Sequence, residues 1–245
     1  MTAVPQLVAV DRFTAVSGRI SSDYTYMINN CEISDPNSDV ILEHCIWEDY
    51  RLKESYKNCI VKNSDYLGLF LTYMDEESSF FLLDSLLKYY NLEGFFLPNF
   101  LKLKGTFYIF LNLLKKYMPK VYTLFKKEEL VLSMYATEWF ICVFSRSLKF
   151  NSLVRVFDVF LLEGYTILYR IALALIKINE NKFLEKNAGL EYFMEVFKTL
   201  FDDIDPDLLI KTAFRFSITV KTINKLEKEY KTVKNDAKNE FVQQL

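Results

Sequence analysis

The sequence holds little of what β-sheet proteins and phosphate-binding loops are built from. Among 245 residues there are only 6 glycines and 5 prolines. Few tight turns are therefore available for a sandwich or barrel, and there is no glycine-rich loop of the kind that cradles a phosphate. Apolar residues make up 51% of the chain, which is enough for a sizeable core. These proportions favour an all-α fold.

Groups that carry metal or hydrolytic chemistry are also scarce. The four cysteines lie far apart without a CxxC pair, and His44 is the single histidine. The spacing of a metal site is absent, and we expect reduced, mostly buried thiols and no cofactor. His44, beside Cys45 and Trp47, fits a helix residue better than the base of a catalytic triad. With a net charge of -2, the chain lacks the excess positive charge that is typical of nucleic-acid-binding proteins.

Residues 1–19 differ in composition from the rest of the chain. They lack lysine, glutamate, isoleucine, asparagine and tyrosine, all of which are abundant afterwards. This shift predicts an appended or disordered leader outside the core. No secretory signal opens the chain, and Glu138 or Arg170 interrupts its most apolar stretches before the ~20 residues that a membrane span needs. We therefore expect a cytoplasmic protein.

Apolar spacing and end signals predict successive helices from about Asp39 onward. Asp75 is expected to cap a helix that runs to Tyr90, because acidic residues at a helix start are more typical of capping than of cation binding. The apolar segment from Thr166 to Ile178 is expected in the middle of the domain. Asp205, followed by a proline, predicts another helix start.

Three further elements follow from the same signals. One helix is expected to begin near Leu132 and to carry a wide apolar stripe through Phe144 into the core. Ser152 is expected to cap the next helix, and Gly164 to end it. After Val220 the chain is dominated by charge, which indicates a solvated, partly frayed helix.

Several runs of residues resemble one known family. Tyr135-Ala136-Thr137-Glu138-Trp139-Phe140, followed by Arg155-Val156-Phe157-Asp158-Val159-Phe160 and Gly164, resembles the C-terminal half of TBC domains, the helical Rab GTPase-activating module. Tyr73-Met74-Asp75-Glu76-Glu77 resembles a helix junction of that family. The resemblance covers roughly residues 20–230. It implies an all-α, multi-helix TBC (Rab-GAP) fold, of which the C-terminal three quarters are present, and a Rab-family small GTPase as partner.

The resemblance also points to two altered positions. TBC domains insert an arginine from an I-x-x-D-x-x-R motif and a glutamine from a Y-x-Q-G motif into the nucleotide site of the GTPase. Asp23 matches the first motif, and Tyr26 stands at its arginine position. An ungapped count places Val61 at the glutamine and Lys62 at the glycine. The chain's glutamines lie elsewhere, at positions 6, 243 and 244. The implied GTPase-binding residues are Asp23, Tyr26, Val61, Lys62 and Asn63.

These replacements favour the hypothesis of a module that binds a Rab GTPase, regulates vesicle traffic and lacks GTPase-activating catalysis. It would act in the cytoplasm or at endomembranes, reaching the membrane only through its partner. Two alternatives stay open: an active GTPase activator in which Arg19 or Lys62 supplies the cation, and a helical protein-interaction scaffold with no GTPase partner. The expected organisation is a leader at 1–19, a TBC-like domain at 20–220 and a charged helix or tail at 221–245.

Overall fold

A computed structural model describes residues 64–90, 92–95, 101–185 and 189–233, and every regular element within these ranges is helical. The all-α prediction is confirmed for this part of the chain. The described residues fall into two compact units, one up to residue 95 and the other from residue 101. Within the same ranges no helix is both long and apolar enough to cross a membrane. The predicted domain boundaries at residues 19 and 220 stay predictions.

In the described part of the first unit, a pair of helices is followed by one short turn. Helix α1 (Ser64–Leu71) packs against α2 (Glu76–Lys88), which contacts a 3₁₀ turn at Leu92–Phe95. Asp75 caps α2 as predicted, since its carboxylate accepts hydrogen bonds from the Ser78 backbone N–H and hydroxyl, both at 2.9 Å. The helix ends at Lys88, two residues before the predicted end.

The second unit contains the remaining described helices. In chain order these are α3 (Leu101–Tyr117), α4 (Pro119–Lys127), α5 (Thr137–Ile141), α6 (Phe150–Glu163), α7 (Thr166–Ile178), α8 (Glu180–Phe183), α9 (Leu190–Lys198), α10 (Pro206–Ala213) and α11 (Val220–Val233). Pro119 ends α3 and opens α4, because proline has no backbone N–H to donate yet fits the first helical turn. Asp205 caps α10 as predicted, accepting from the backbone N–H of Asp207 and Leu208.

Helix α7 forms the centre of this unit, as its apolar sequence predicts. Ten of its thirteen residues are buried, and it packs against α10 and α6. Gly164, which separates α6 from α7, has a φ of 71°. Glycine adopts this left-handed backbone without steric cost, so the predicted helix end at Gly164 is confirmed.

Helix α11 is present where a charged helix was predicted, but one side of it is packed. Tyr230 is buried and its ring lies on Tyr108 of α3, with centroids 5.4 Å apart. A Cβ added to Gly105 would lie 3.2 Å from the Tyr230 ring, so the absence of a side chain at Gly105 lets α11 approach α3 closely. The helix is therefore part of the packed unit through Tyr230.

Two local predictions are wrong. The stripe from Leu132 to Phe144 is not one helix: a 3₁₀ turn and the short α5 are followed by Val143 and Phe144, whose φ angles are 46° and 61°. Such angles are uncommon for side-chain-bearing residues and end the helix. Ser152 does not cap α6, because the helix begins at Phe150 and the Ser152 hydroxyl donates to the Ile204 carbonyl at 3.2 Å.

Lys102 of α3 is a partly buried cation whose removal is expected to stabilise the fold. Its Nζ lies 5.1 Å from the centroid of the Tyr165 ring, and burial lowers the pKa of Lys102 to about 8, against 10.5 for an ordinary lysine. The unfolded chain therefore holds this proton more tightly than the folded one. At pH 7 the penalty is fully present, and we expect Lys102→Met to raise the free energy of unfolding by roughly 2 kcal/mol.

The effect of Lys102→Met on the free energy of unfolding depends on pH. As the pH rises through about 8 the folded protein releases the Lys102 proton, and the stabilising effect of Lys102→Met should shrink until it vanishes above 10.5. Lys104, two residues along the same helix, is exposed. Lys104→Met is the matched control and should change the unfolding free energy by less than about 0.5 kcal/mol. Urea titrations at pH 7 and pH 10 measure both variants, and equal effects of the two would contradict the prediction.

Candidate functional site

The five residues predicted to contact a GTPase lie outside the described part of the chain. Asp23 and Tyr26 lie well before residue 64, the first described residue, and Val61, Lys62 and Asn63 directly precede it. The site they would form therefore stays a prediction. The structure describes the segment that follows: helix α1 starts at Ser64, two residues after Lys62.

The turn between α1 and α2 holds the junction motif in a defined conformation. The Tyr73 N–H donates to the Phe70 carbonyl at 2.9 Å, and the Thr72 hydroxyl donates to the Leu69 carbonyl at 2.7 Å. Hydrogen bonds from the Ser78 backbone and hydroxyl favour the charged carboxylate and lower the pKa of Asp75. Asp75 thus caps a helix, as expected from the sequence in preference to cation binding.

Trp139, the central residue of the strongest motif, lies in an aromatic cluster of the second unit. Its side chain is 2% exposed, and its ring stacks on Phe144 with centroids 6.0 Å apart. Phe201 meets it edge-on at 5.9 Å. Tyr135 stacks on Phe197 at 3.7 Å, and burial raises the pKa of Tyr135 well above its usual value. The motif therefore builds a core that packs α5 and the turn before it against α9.

A cleft opens beside this cluster and was not predicted from the sequence. Its volume is about 320 Å³, and its lining includes Met134, Trp139, Phe197 and Phe201. Charged side chains of both signs also line it, namely Glu138, Arg146, Lys149, Lys198 and Asp202. The residues come together from segments about 60 positions apart, and no local pattern indicates such a meeting.

The second motif of the C-terminal half is divided between core and surface. Phe157 is fully buried and meets Phe160 edge-on at 5.9 Å. Arg155 is exposed and pairs with Asp207 in the first turn of α10 at 3.4 Å. Asp158 is buried in the same helix. The motif therefore joins α6 to α10, and its arginine is engaged in that contact.

Comparison with known proteins identifies what these motifs are similar to. The profile of the Rab-GTPase-TBC domain family matches residues 63–184. The human Ecotropic viral integration site 5 protein homolog is 32% identical over 179 residues, which is 72% of this chain and 22% of that protein. Rab GTPase-activating protein eat-17 of Caenorhabditis elegans is 29% identical over 179 residues, covering 72% and 20% respectively. The chain spans about a fifth of the length of these curated relatives.

A solved structure agrees with the helical arrangement. The Chlamydomonas flagellar RabGAP TBC domain matches with a TM-score of 0.50 and 29% sequence identity, over 62% of this chain and 50% of that chain. At this identity the sequence and the fold point to the same family.

The expectation of a regulator without GTPase-activating catalysis is wrong. A matching relative is named as a Rab GTPase-activating protein. The expectation depended on Tyr26 and Val61, which were assigned by counting residues without gaps, whereas the profile match begins only at residue 63. A one-residue shift in that loop would present a different side chain to the nucleotide.

Proposed function

Because the chain belongs to the Rab-GTPase-TBC domain family, we propose that it binds a Rab-type small GTPase and accelerates hydrolysis of the bound GTP. The observation that carries the proposal is the profile match over residues 63–184. It is supported by the packing of the motif residues, since Trp139 and Phe157 are buried in the second unit. Both residues belong to the two motifs that resemble the family in this unit.

The chemistry of GTP hydrolysis requires two contributions from the complex. Negative charge on the transferred phosphoryl oxygens must be stabilised, which an arginine finger does with an effect of about 10³ to 10⁵ in rate. The attacking water must also be oriented, usually by an amide. No glutamine of this chain lies between residues 7 and 242. We therefore assign the water-orienting amide to the glutamine of the GTPase itself.

The cation is assigned to one of two basic residues near the altered motifs. Arg19 lies seven residues before Tyr26, and Lys62 follows Val61 directly. Lys62 also precedes the start of α1 by two residues, and helix N-termini attract anions through their free N–H groups and dipole. Either side chain would place a positive charge beside the negative charge that develops on the transferred phosphoryl oxygens. Asp23, Tyr26, Val61 and Asn63 are proposed to contact the GTPase around it.

The biological setting follows from the partner. Rab GTPases act on endomembranes, so we place this chain in the cytoplasm and at endomembrane surfaces, where it regulates vesicle traffic. A GTPase contact buries many residues, and binding therefore depends on a broad surface rather than on the two catalytic side chains.

Binding to GTPases in defined nucleotide states tests this proposal. Immobilised chain is presented with a panel of Rab GTPases loaded with GDP, or with GDP and aluminium fluoride, which mimics the transferred phosphoryl group. Transition-state mimics bind enzymes at least about 10²-fold more tightly than ground states. We expect one or more Rabs to show this preference. A panel without any binding in the aluminium fluoride state would refute the proposal and favour a scaffold without a GTPase partner.

A further inference from the structure

Two long stretches of the sequence carry basic residues and no acidic ones. Residues 94–127 contain seven lysines without an aspartate or glutamate, and residues 208–226 contain Lys211, Arg215, Lys221 and Lys225, again without an acid. The whole chain has a net charge of -2. Positive charge is therefore concentrated in these two stretches, which lie about 100 positions apart.

The structure brings the two stretches together at one contact. The Tyr117 hydroxyl donates to the Ser217 carbonyl at 2.9 Å, and the Tyr117 ring meets Phe216 edge-on at 5.3 Å. Lys116 and Lys120 lie within three residues of Tyr117, and Arg215 and Lys221 lie within four residues of Ser217. All four basic side chains belong to exposed residues. We call these four residues the basic surface.

Apolar side chains are exposed next to this basic surface. Val220, beside Lys221, is 58% exposed, and Phe214, beside Arg215, is 48% exposed. Phe214 lies over the guanidinium of Arg170, which also bonds the Ile218 carbonyl, so Phe214 is held close to the same loop. Exposed apolar residues among lysines are the combination that membrane-surface proteins present to the headgroup region.

Two helix N-termini add to the positive potential. Helix α4 begins at Pro119 and α11 at Val220, on the two sides of the Tyr117–Ser217 contact. Neither has an acidic residue in its first turn; Lys120 and Lys221 lie there instead. A cation at a helix N-terminus opposes the helix dipole and costs stability, whereas an external anion would be attracted by both.

The acidic residues of the adjoining helices are mostly engaged with other bases. Glu128 pairs with Lys127 at 3.0 Å, and Asp207 pairs with Arg155. In α11, Glu229 pairs with Lys225 at 3.8 Å and Glu227 with Lys231 at 3.3 Å. Glu129 is exposed at the far end of α4, nine residues beyond Lys120. These acids leave the basic surface with net positive charge.

We propose that the basic surface, with Val220 and Phe214, docks the chain on an anionic lipid bilayer. Three of its four charges are lysines, which act as point charges toward headgroups, whereas a bidentate phosphate or carboxylate site favours arginine. This inference goes beyond the proposed activation of a GTPase: the chain would contact the membrane directly as well as through its partner. The chain then meets a membrane-bound GTPase already positioned on the same surface.

Vesicle binding without any GTPase tests the inference. The whole chain is sedimented with vesicles of phosphatidylcholine alone, and with vesicles in which part is replaced by phosphatidylserine or by phosphatidylglycerol. We expect binding to both anionic compositions, little binding to phosphatidylcholine, and weakening with added salt as screening increases. Similar affinity for the two anionic lipids is expected, because diffuse attraction depends on charge rather than on headgroup shape.

A triple variant and a matched control locate the binding surface. Each lysine near an anionic bilayer strengthens binding roughly fivefold, so Lys116→Gln, Lys120→Gln and Lys221→Gln together should weaken it about 100-fold. The control, Lys104→Gln, Lys177→Gln and Lys182→Gln, changes the net charge equally at exposed lysines outside the basic surface; Lys104 lies twelve residues before Lys116 in α3, and Lys177 pairs with Glu180. It should bind vesicles almost as the parent does. Circular dichroism confirms that both variants fold.

Three results would overturn the inference. These are equal binding of the parent chain to neutral and anionic vesicles, equal loss in both triple variants, or loss in the first variant of activity toward a lipid-free GTPase in solution. The last result would assign the basic surface to the GTPase interface. Because the vesicles carry no GTPase, failure of vesicle binding leaves the proposed GTPase activation untouched.

Discussion

Replacing Trp139 by alanine is expected to lower the free energy of unfolding by about 4 kcal/mol. The indole is 2% exposed and touches rings from three other segments, including Phe110 at 6.4 Å and Phe201 at 5.9 Å. Truncation removes the buried area and leaves a cavity that these rings cannot fill without shifting. Because domains are stable by about 5–15 kcal/mol, this loss would remove between about a quarter and four fifths of the stability.

Urea denaturation followed by circular dichroism measures this effect, since one of the chain's two tryptophans is removed and fluorescence would change for that reason alone. Glu138→Ala is the matched control: Glu138 neighbours Trp139 in α5 and is exposed. Its substitution should cost less than about 0.5 kcal/mol. A Trp139→Ala variant as stable as Glu138→Ala would mean that the aromatic cluster does not hold the unit together.

The second large effect concerns the side chain that supplies a positive charge to the transferred phosphoryl group. Of the variants Arg19→Ala and Lys62→Ala, one is expected to lose nearly all acceleration of GTP hydrolysis, a loss of up to about 10³-fold, and the other to keep most of it. Single-turnover hydrolysis by a responsive Rab measures both. Binding of the GTP-loaded ground state should change little, because the charge that the cation stabilises develops only in the transition state.

Two controls sharpen this result. Lys57→Ala removes the same charge five residues before Lys62 and should leave the rate unchanged. A Rab whose own water-orienting glutamine is replaced by alanine should no longer respond, because this chain has no glutamine between residues 7 and 242 to take its place. If both Arg19→Ala and Lys62→Ala keep the full rate, neither residue is the cation.

Local signals in the sequence predicted the elements whose ends depend on neighbouring residues. Helix α7 begins at Thr166 and ends at Ile178, as predicted. A helix that is apolar on nearly all sides is expected at the centre of a globular unit. Asp75 and Asp205 cap their helices through their own carboxylates. Gly164 supplies a backbone angle that other residues rarely adopt.

The predictions for Ser152 and for the segment from Leu132 to Phe144 were wrong because long-range contacts determine the structure there. Ser152 has the side chain of a helix cap, but its hydroxyl is taken by the Ile204 carbonyl, 52 residues away. The break after α5 places Val143 and Phe144 at positive φ, which lets Phe144 stack on Trp139. Neither residue is one that such a backbone favours, and the tertiary packing therefore outweighs local preference.

The candidate surfaces show the same division. The motifs around Trp139 and Arg155 were sufficient to recognise the family, because they carry dense local constraints on packing. The two basic stretches can be seen in the sequence, but that they form one surface depends on the contact of Tyr117 with Ser217 across 100 residues. The finger positions depend on loop geometry before residue 63, where counting along the sequence assumes a spacing that insertions alter.

The measurement that tests the central claim most directly is single-turnover GTP hydrolysis by a panel of Rab GTPases, each with and without the full chain. Activation by this domain predicts that at least one Rab hydrolyses GTP about 10²-fold faster or more when the chain is present. Intrinsic rates throughout the panel, from Rabs that nevertheless bind the chain, would contradict it.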